Sequence, residues 1–329
     1  MTYSMDILYK GESLFLLKSM KQAVVALGGN AFIKKGQKGD IHEQFANTRE
    51  MCKVIVNMIQ DGWNPLLTHG NGPQVGSILL QNNKTRDLLP PMPLGICVAE
   101  TEGFMGYMIQ QSLKNALTNA NIKKSIVTII TQVLVDEDDP SMKNPSKPIG
   151  PFYNEQESKL LLKDGYQITK QVNGYRIVVP SPDPISVVET DVIKKLIDED
   201  VIVIAGGGGG LPVINKKNWG LDGVEAVVDK DLVSEQLAEA INADLLLMLT
   251  NVEYVYLNFN SESQQTLTQC NIAEIEKYYN KGHFPAGSMG PKILASIRFL
   301  RQGGKKVIIT DVDHAINALQ GKTGTHITM

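Results

Sequence analysis

Cysteine is scarce in this chain: Cys52, Cys97 and Cys270 stand far apart among 329 residues, with no C-x-x-C. That excludes a disulfide framework and a thiolate zinc site, and reads as reduced thiols in a cytoplasmic protein. A basic excess is also missing. The 32 Lys and Arg against 35 Asp and Glu leave a net charge of -3, so nothing in the charge argues for nucleic acid or an anionic membrane as partner. No apolar run approaches the length of a bilayer span. His42, His283, His314 and His326 show no ligand spacing, so no protein-bound structural metal is expected. No G-x-G-x-x-G opens a βαβ unit, and no Walker P-loop is present. In residues 1–20 the apolar core Leu14-Phe15-Leu16-Leu17 is too short for a secretory h-region, and Asp6, Glu12 and the lack of arginine argue against a mitochondrial presequence. They read as a loose extension upstream of the fold, with an organelle signal of non-standard form as the alternative. A chain starting at Met20 is expected to fold and keep its activity. What remains is an ordinary globular composition, 43% hydrophobic and 20% charged, long enough for a large core in two lobes.

Glycine, in contrast, is concentrated where apolar runs end. Val24-Val25-Ala26-Leu27 stops at Gly28-Gly29-Asn30, Leu66-Leu67-Thr68-His69 stops at Gly70-Asn71-Gly72, and Val201 to Ala205 stops at Gly206 to Gly210. Continuous apolar runs suit strands buried on both faces of a parallel sheet. Glycine turns let backbone N–H groups approach a ligand closely. Three such strands predict one crevice along the carboxyl ends of one sheet.

The rest of the chain alternates between strand and helix. Asp40 with Glu43 opens a helix with an apolar stripe from Phe45 to Ile59, closed by Gly62. Pro73 starts another helix over Gln74 to Gln81, and Gly95 to Ala120 reads as a long one. Ile126 to Val135 is expected to be one strand. Asp136 to Pro151, acidic and then proline-rich, is expected to be a loop, because prolines break either ladder. A short helix from Glu155 and a hairpin about Asn173-Gly174 complete a small inserted subdomain over Pro140 to Val179. Further helices are expected over Val187–Asp198, Asp229–Ala243 and Pro291–Arg301, and strands over Leu245–Thr250 and Val307–Thr310.

Two lysines stand in unusual places. Lys230, in Asp229-Lys230-Asp231, and Lys292, in Gly287-Ser288-Met289-Gly290-Pro291-Lys292, both fall at helix starts. A cation there opposes the helix dipole, so it serves a bound anion better than the fold. His69, beside the second glycine turn, reads as a structural hydrogen-bonding group.

Ala26-Leu27-Gly28-Gly29-Asn30-Ala31, Gly70-Asn71-Gly72-Pro73-Gln74-Val75-Gly76, Pro145-Ser146-Lys147-Pro148, Val179-Pro180-Ser181-Pro182, Ala205 to Gly209, Asp229-Lys230-Asp231-Leu232 and Gly287 to Lys292 follow one another from about Lys21 to the C-terminus. In that order they resemble the carbamate kinases of the amino-acid kinase superfamily. The resemblance implies an α/β fold: a three-layer α/β/α sandwich with a mostly parallel central sheet and a small protruding subdomain. It implies an N-terminal lobe over 21–185 for carbamate and the phosphoryl group, with the flap over 140–179, and a C-terminal nucleotide-binding lobe over 186–329. It further implies a homodimer using Mg2+ with ATP or ADP. The reaction is reversible transfer between ATP and carbamate, giving ADP and carbamoyl phosphate, often run towards ATP in arginine breakdown by the arginine deiminase route.

By the same resemblance Lys147, Lys230, Asp231 and Lys292 are catalytic. Gly28, Gly29, Asn30, Gly70, Asn71, Gly72, Gly206, Gly207 and Gly208 line the phosphoryl and substrate pocket. Asp229, Lys230, Thr250, Met289 and Lys292 bind nucleotide. Related kinases carry a lysine two residues before the first Gly-Gly. Here that residue is Ala26, and Lys147 on the flap replaces its charge. Asn251 departs from the aspartate usual at its position. The rival readings are a kinase for another small carboxylate and a nucleotide-binding regulator without catalysis.

Overall fold

The computed structural model describes residues 20–34, 36–285 and 287–329. The expectations for residues 1–19 lie outside the described residues. Among those described, the first elements in chain order are β1 (Lys21–Leu27), α1 (Gly29–Phe32), α2 (Ile41–Gln60), β2 (Trp63–His69), α3 (Gly72–Thr85) and α4 (Leu94–Asn119). Then come β3 (Ile126–Thr128), β4 (Gln132–Val135), α5 (Pro140–Lys143), β5 (Lys147–Tyr153), α6 (Glu155–Lys163), β6 (Ile168–Gln171), β7 (Gly174–Val179) and β8 (Pro184–Val187). The second half runs α7 (Thr190–Asp198), β9 (Ile202–Ile204), β10 (Leu211–Lys216), β11 (Gly220–Gly223), α8 (Lys230–Ala240), β12 (Leu245–Thr250), β13 (Val255–Leu257) and β14 (Gln265–Leu267). It closes with β15 (Gln269–Asn271), α9 (Ile272–Asn280), α10 (Met289–Arg301), β16 (Lys306–Asp311), α11 (Ala315–Leu319) and β17 (Thr325–Thr328).

The central sheet has eight strands among the described residues, in the order β15-β17-β16-β12-β1-β2-β9-β3, parallel except where β17 meets β16. The alternation of strand side chains divides the core into two layers. On β1, Val24 and Ala26 face α7, α8, α9 and α10. Ala23, Val25 and Leu27 face α2, α4 and α11. With helices on both faces the architecture is a three-layer α/β/α sandwich, and β1 sits at its centre. α2 begins as expected: Asp40 Oδ1 accepts the Glu43 N–H at 2.9 Å, while the Glu43 carboxylate takes the Gly39 N–H.

Ile126 to Val135 is not one strand. β3 is the edge of the central sheet, whereas β4 belongs to a second sheet ordered β11-β10-β4-β8. Thr131 turns the chain between them by bonding the neighbouring strand ends instead of continuing the ladder. Asp136 to Pro151 is not a loop throughout. Pro140–Lys143 forms a helical turn capped by Asp139, and Lys147–Tyr153 is strand β5. β5 lies at the edge of the sheet β5-β7-β6, where Pro148 and Pro151 remove N–H groups that need no partner. The helix expected from Val187 begins at Thr190, because Val187 pairs with Val133 in β8.

The flap formed by β5, β7, β6 and α6 docks on α3 and α4 through its own apolar cluster, with Ile149, Tyr153, Leu161 and Ile177 against Val75, Cys97 and Val98. Helices α8 and α10 pack side by side, and between them lies Glu235, 1% exposed. Burial pushes its carboxyl up to about 7 despite the nearby Arg298. The unfolded chain loses this proton at ordinary carboxyl pH, while the folded chain keeps it to about 7. Folding stability therefore falls as pH rises through that window. Glu235→Gln is expected to raise the thermal midpoint at pH 8 and leave it nearly unchanged at pH 5, as scanning calorimetry at both pH values would measure.

Candidate active site

The carboxyl ends of β12, β1, β2 and β9 lie side by side, so their four turns open on one crevice. The flap covers one side, and the starts of α3, α8 and α10 point into it. The cavity enclosed is about 440 Å³. Of the residues singled out by sequence, Gly28, Gly29, Gly70, Asn71, Gly72, Lys147, Gly208, Asp229, Lys230, Asp231, Thr250, Met289 and Lys292 line it. The Asn30 side chain lies outside what the structure describes. Gly206, which packs on Val233 and Leu237, and Gly207, which packs on His69 and Glu102, are not among the lining residues.

Asp231 is the electrostatic hub, with only 4% of its side chain exposed. Lys230 Nζ donates to Oδ1 at 2.6 Å and Lys292 Nζ to Oδ2 at 2.7 Å. Burial alone would raise its pKa; the two ammoniums outweigh burial and hold it well below the usual carboxylate range. Burial lowers the Lys230 pKa, with Asp231 offsetting part of the effect. At Lys292 burial acts the same way, but the pull of Asp231 and Asp229 prevails and the pKa is raised. Asp229 serves two partners. Oδ1 caps α8 by accepting the Asp231 N–H at 3.0 Å, and Oδ2 accepts from Lys147 Nζ at 2.6 Å. Three ammoniums thus meet two carboxylates, leaving one excess positive charge for an anion.

Two helix starts add to that field. α3 and α10 have no side-chain cap and no acid in the first turn. The first N–H groups of α3 therefore keep their capacity for a ligand, whereas in α10 the Gly290 N–H donates to Pro285 O at 2.8 Å and Pro291 has none, which leaves mainly the dipole. His69 is buried and its pKa is pushed down to about 4, so it is neutral; Nδ1 donates to Gly70 O at 3.3 Å. It supports the turn and carries no charge into the site.

The glycines differ in how firmly they are required. A Cβ on Gly28 would lie 2.6 Å from Leu249 O, and one on Gly208, at φ +68, would lie 2.2 Å from Asn71 Nδ2. Gly72 meets nothing within 4 Å. Gly208→Ala is therefore expected to cost about 1–3 kcal/mol through strain and close contact, and Gly72→Ala less than about 0.5 kcal/mol. Denaturant titration of both variants checks the contrast.

Several lining residues escaped the sequence reading. Arg176, on β7, enters the cavity wall and donates from Nη2 to Gly150 O at 2.9 Å; burial lowers its pKa. On the far wall Tyr256 and Phe259 stand with ring centroids 5.8 Å apart beside Val252, Phe284 and Pro285. That apolar wall in the same cavity as the cations suits a flat heterocycle. Tyr254, Tyr256 and Phe259, clustered in a chain with 6% aromatic residues, are the signal that was there to find.

The profile of the amino acid kinase family matches residues 21–311. The carbamate kinase of Pyrococcus horikoshii is 48% identical over 312 residues, 94% of this chain and 99% of its own length. That of Trichomonas vaginalis is 46% identical over 308 residues, 92% of this chain and 98% of its own. Among solved structures, the carbamate kinase from Giardia lamblia bound to AMP-PNP superposes with a TM-score of 0.88 at 42% identity, over 94% of this chain and 99% of that one. An N-acetylglutamate synthase from Neisseria gonorrhoeae, at 13% identity and a TM-score of 0.53, shares the fold alone. The chain belongs to the amino acid kinase family, on its carbamate kinase branch.

Proposed function

We propose that this chain catalyses reversible phosphoryl transfer between ATP and carbamate, giving ADP and carbamoyl phosphate. The observation that carries this is Asp231 holding Lys230 and Lys292 at the carboxyl end of the sheet while the flap brings in Lys147. In the forward direction a carbamate oxygen attacks the terminal phosphorus as the bond to the ADP oxygen breaks. Carbamate is already an anion, so no general base is needed, and the protein's task is positioning and charge neutralisation. Lys147, Lys230 and Lys292 neutralise the transferring group, and Asp231 orients two of them. The amides of Gly28, Gly29, Asn30, Asn71 and Gly72 hold carbamate and the phosphoryl oxygens; Gly70, whose N–H donates to Leu27 O at 2.9 Å, ties the second turn to the first, with Gly208 closing that side and Gly206 and Gly207 shaping the turn behind it. Nucleotide lies along Thr250, Met289 and the Tyr256–Phe259 wall.

Mg2+ suits this donor set as a companion of the nucleotide, since it prefers oxygen ligands and keeps several waters when bound to phosphates. Among the described residues no three or more His, Cys, Asp or Glu gather as a cage, and Asp229, Thr250 and Asn251 supply the oxygens at the cavity wall. The ion would add charge neutralisation between the phosphates. Among the described residues no helix is long and apolar enough to cross a membrane. We propose a cytoplasmic homodimer with a substrate lobe over 21–185 and a nucleotide lobe over 186–329, working towards ATP in arginine catabolism. Carbamoyl phosphate is a mixed anhydride, which makes that direction downhill.

The test is coupled ATP formation from ADP with carbamoyl phosphate, beside acetyl phosphate. Turnover with the first and little with the second is expected. Preference for acetyl phosphate would assign the site to another carboxylate, and no turnover with either would favour a regulator.

A further inference from the structure

Behind the crevice, two neighbouring side chains of α4 each hold one glycine turn. Thr101 Oγ1 accepts from Asn71 Nδ2 at 2.8 Å. Glu102 Oε2 accepts the Thr131 N–H at 2.9 Å. Thr131 in turn clasps both ends of the 206–210 turn: Oγ1 accepts the Gly206 N–H at 2.9 Å, and its carbonyl accepts the Leu211 N–H at 2.8 Å. The turn needs that clasp, since Gly206, Gly208, Gly209 and Gly210 all have positive φ, between 62° and 98°. It also leans on the catalytic helix. A Cβ on Gly209 would lie 2.0 Å from Val228 O and 3.3 Å from the Lys230 nitrogen, so the turn cannot shift without moving the start of α8. Thr101, Glu102 and Thr131 are fully buried and none lines the cavity.

We propose that Thr101 and Glu102 are positioning residues for the phosphoryl-binding crevice: one rigid helix ties the Gly70–Gly72 turn through Asn71 and the Gly206–Gly210 turn through Thr131. The two turns then keep a fixed spacing across the reacting group. This rests on the phosphoryl-transfer reading above. The chemistry of Glu102 agrees with the role. Its Oε1 has no hydrogen-bond partner among the described residues. Burial drives its pKa well above the usual carboxyl range, the Thr131 N–H opposing and Glu189 adding to the rise. Burial favours the neutral acid, and the service it gives Thr131 is one carbonyl-like acceptor, which glutamine supplies equally well.

The experiment compares wild type with Glu102→Ala, Glu102→Gln, Thr131→Val and Thr101→Val. For Glu102→Ala, Thr131→Val and Thr101→Val, kcat/KM for carbamoyl phosphate is expected to fall by about tenfold to a hundredfold, as misplaced binding groups do. ADP affinity by calorimetry is expected to stay within about threefold, and Glu102→Gln to stay within about threefold of wild type in every constant. A merely structural role would lower melting temperatures and leave the constants of the folded protein unchanged. Wild-type constants in folded Glu102→Ala and Thr131→Val, or damage in Glu102→Gln equal to that in Glu102→Ala, would overturn the proposal. If Glu102→Ala does not fold, Thr131→Val decides, because it keeps the backbone bond to Glu102 and removes only the hydroxyl, which accepts from the Gly206 N–H and donates to Ile129 O. A wild type inert towards carbamoyl phosphate would overturn the activity instead. The variants are then compared for affinity to inorganic phosphate, with the same fold-changes expected and unchanged affinity overturning the positioning role.

Discussion

Exchanging Asp231 for asparagine is expected to lower turnover of carbamoyl phosphate by about a hundredfold or more, as is removing Lys230 with alanine. Each carboxylate oxygen of Asp231 holds one ammonium. Asparagine offers one acceptor and one donor, so one lysine loses its anchor and the other a charge-assisted bond. Burial already lowers the Lys230 pKa, and the charge of Asp231 opposes that. Without it the pKa drops further. Since Lys230 acts as an ammonium, the alkaline limb of the pH–rate profile should move to lower pH in Asp231→Asn. Stability is the smaller effect, because the lysines left behind face a cavity that admits water. Rates from pH 6 to 9, with melting curves on the same samples, separate the two. Both variants within a few-fold of wild type would favour the regulatory reading.

Lys147→Ala is expected to cut turnover by a similar factor, about a hundredfold, with ADP affinity nearly unchanged. The sequence placed this lysine in a loop, but it opens edge strand β5 opposite Val179. Its ammonium reaches 82 residues along the chain to Asp229, the N-cap of α8. The pair is mostly buried, with side chains 24% and 12% exposed, and removing the ammonium leaves Asp229 short of a partner, so melting curves on the same preparations separate a loss of rate from a loss of fold. The expected cause is charge: Ala26 cannot supply a cation from β1, and Lys147 is the ammonium that the flap brings to the Asp229–Asp231 cluster, while Arg176 of the same flap donates to Gly150 O. Lys147→Arg should recover only part of the rate, since a planar guanidinium does not replace a compact ammonium in a small site. Calorimetry for ADP and the coupled assay on the same preparations measure both halves. Normal turnover in Lys147→Ala would remove the flap from the mechanism while leaving the family intact.

The crevice was legible because its signals are local. An apolar run that ends in two glycines reports a buried strand and a tight turn within ten residues, and Gly28, Gly70 and Gly208 stand where that reasoning puts them. Lys230 and Lys292 were legible for a similar reason, as cations where a helix dipole disfavours them. What stayed hidden depends on partners far along the chain. Pro148 and Pro151 read as breakers until β7 shows that β5 is an edge. The kink at Thr131 is dictated by Glu102 and by the glycine turn it clasps, neither of which alters the local pattern. The Tyr256–Phe259 wall carries no charge and no strict spacing, so no motif marked it.

The position of β9 has a consequence for how such a chain is inherited. Ile202–Ile204 follows the lobe boundary proposed above at residue 185, yet it lies between β2 and β3 of the other half. A gene split at that boundary would give one product with a missing stave between two strands, and another with a stray strand and an open β12 edge. Unpaired edges of that kind invite aggregation. The halves are therefore not modules that recombination could exchange. Substrate preference and nucleotide handling have to drift together, one residue at a time, within a single indivisible reading frame.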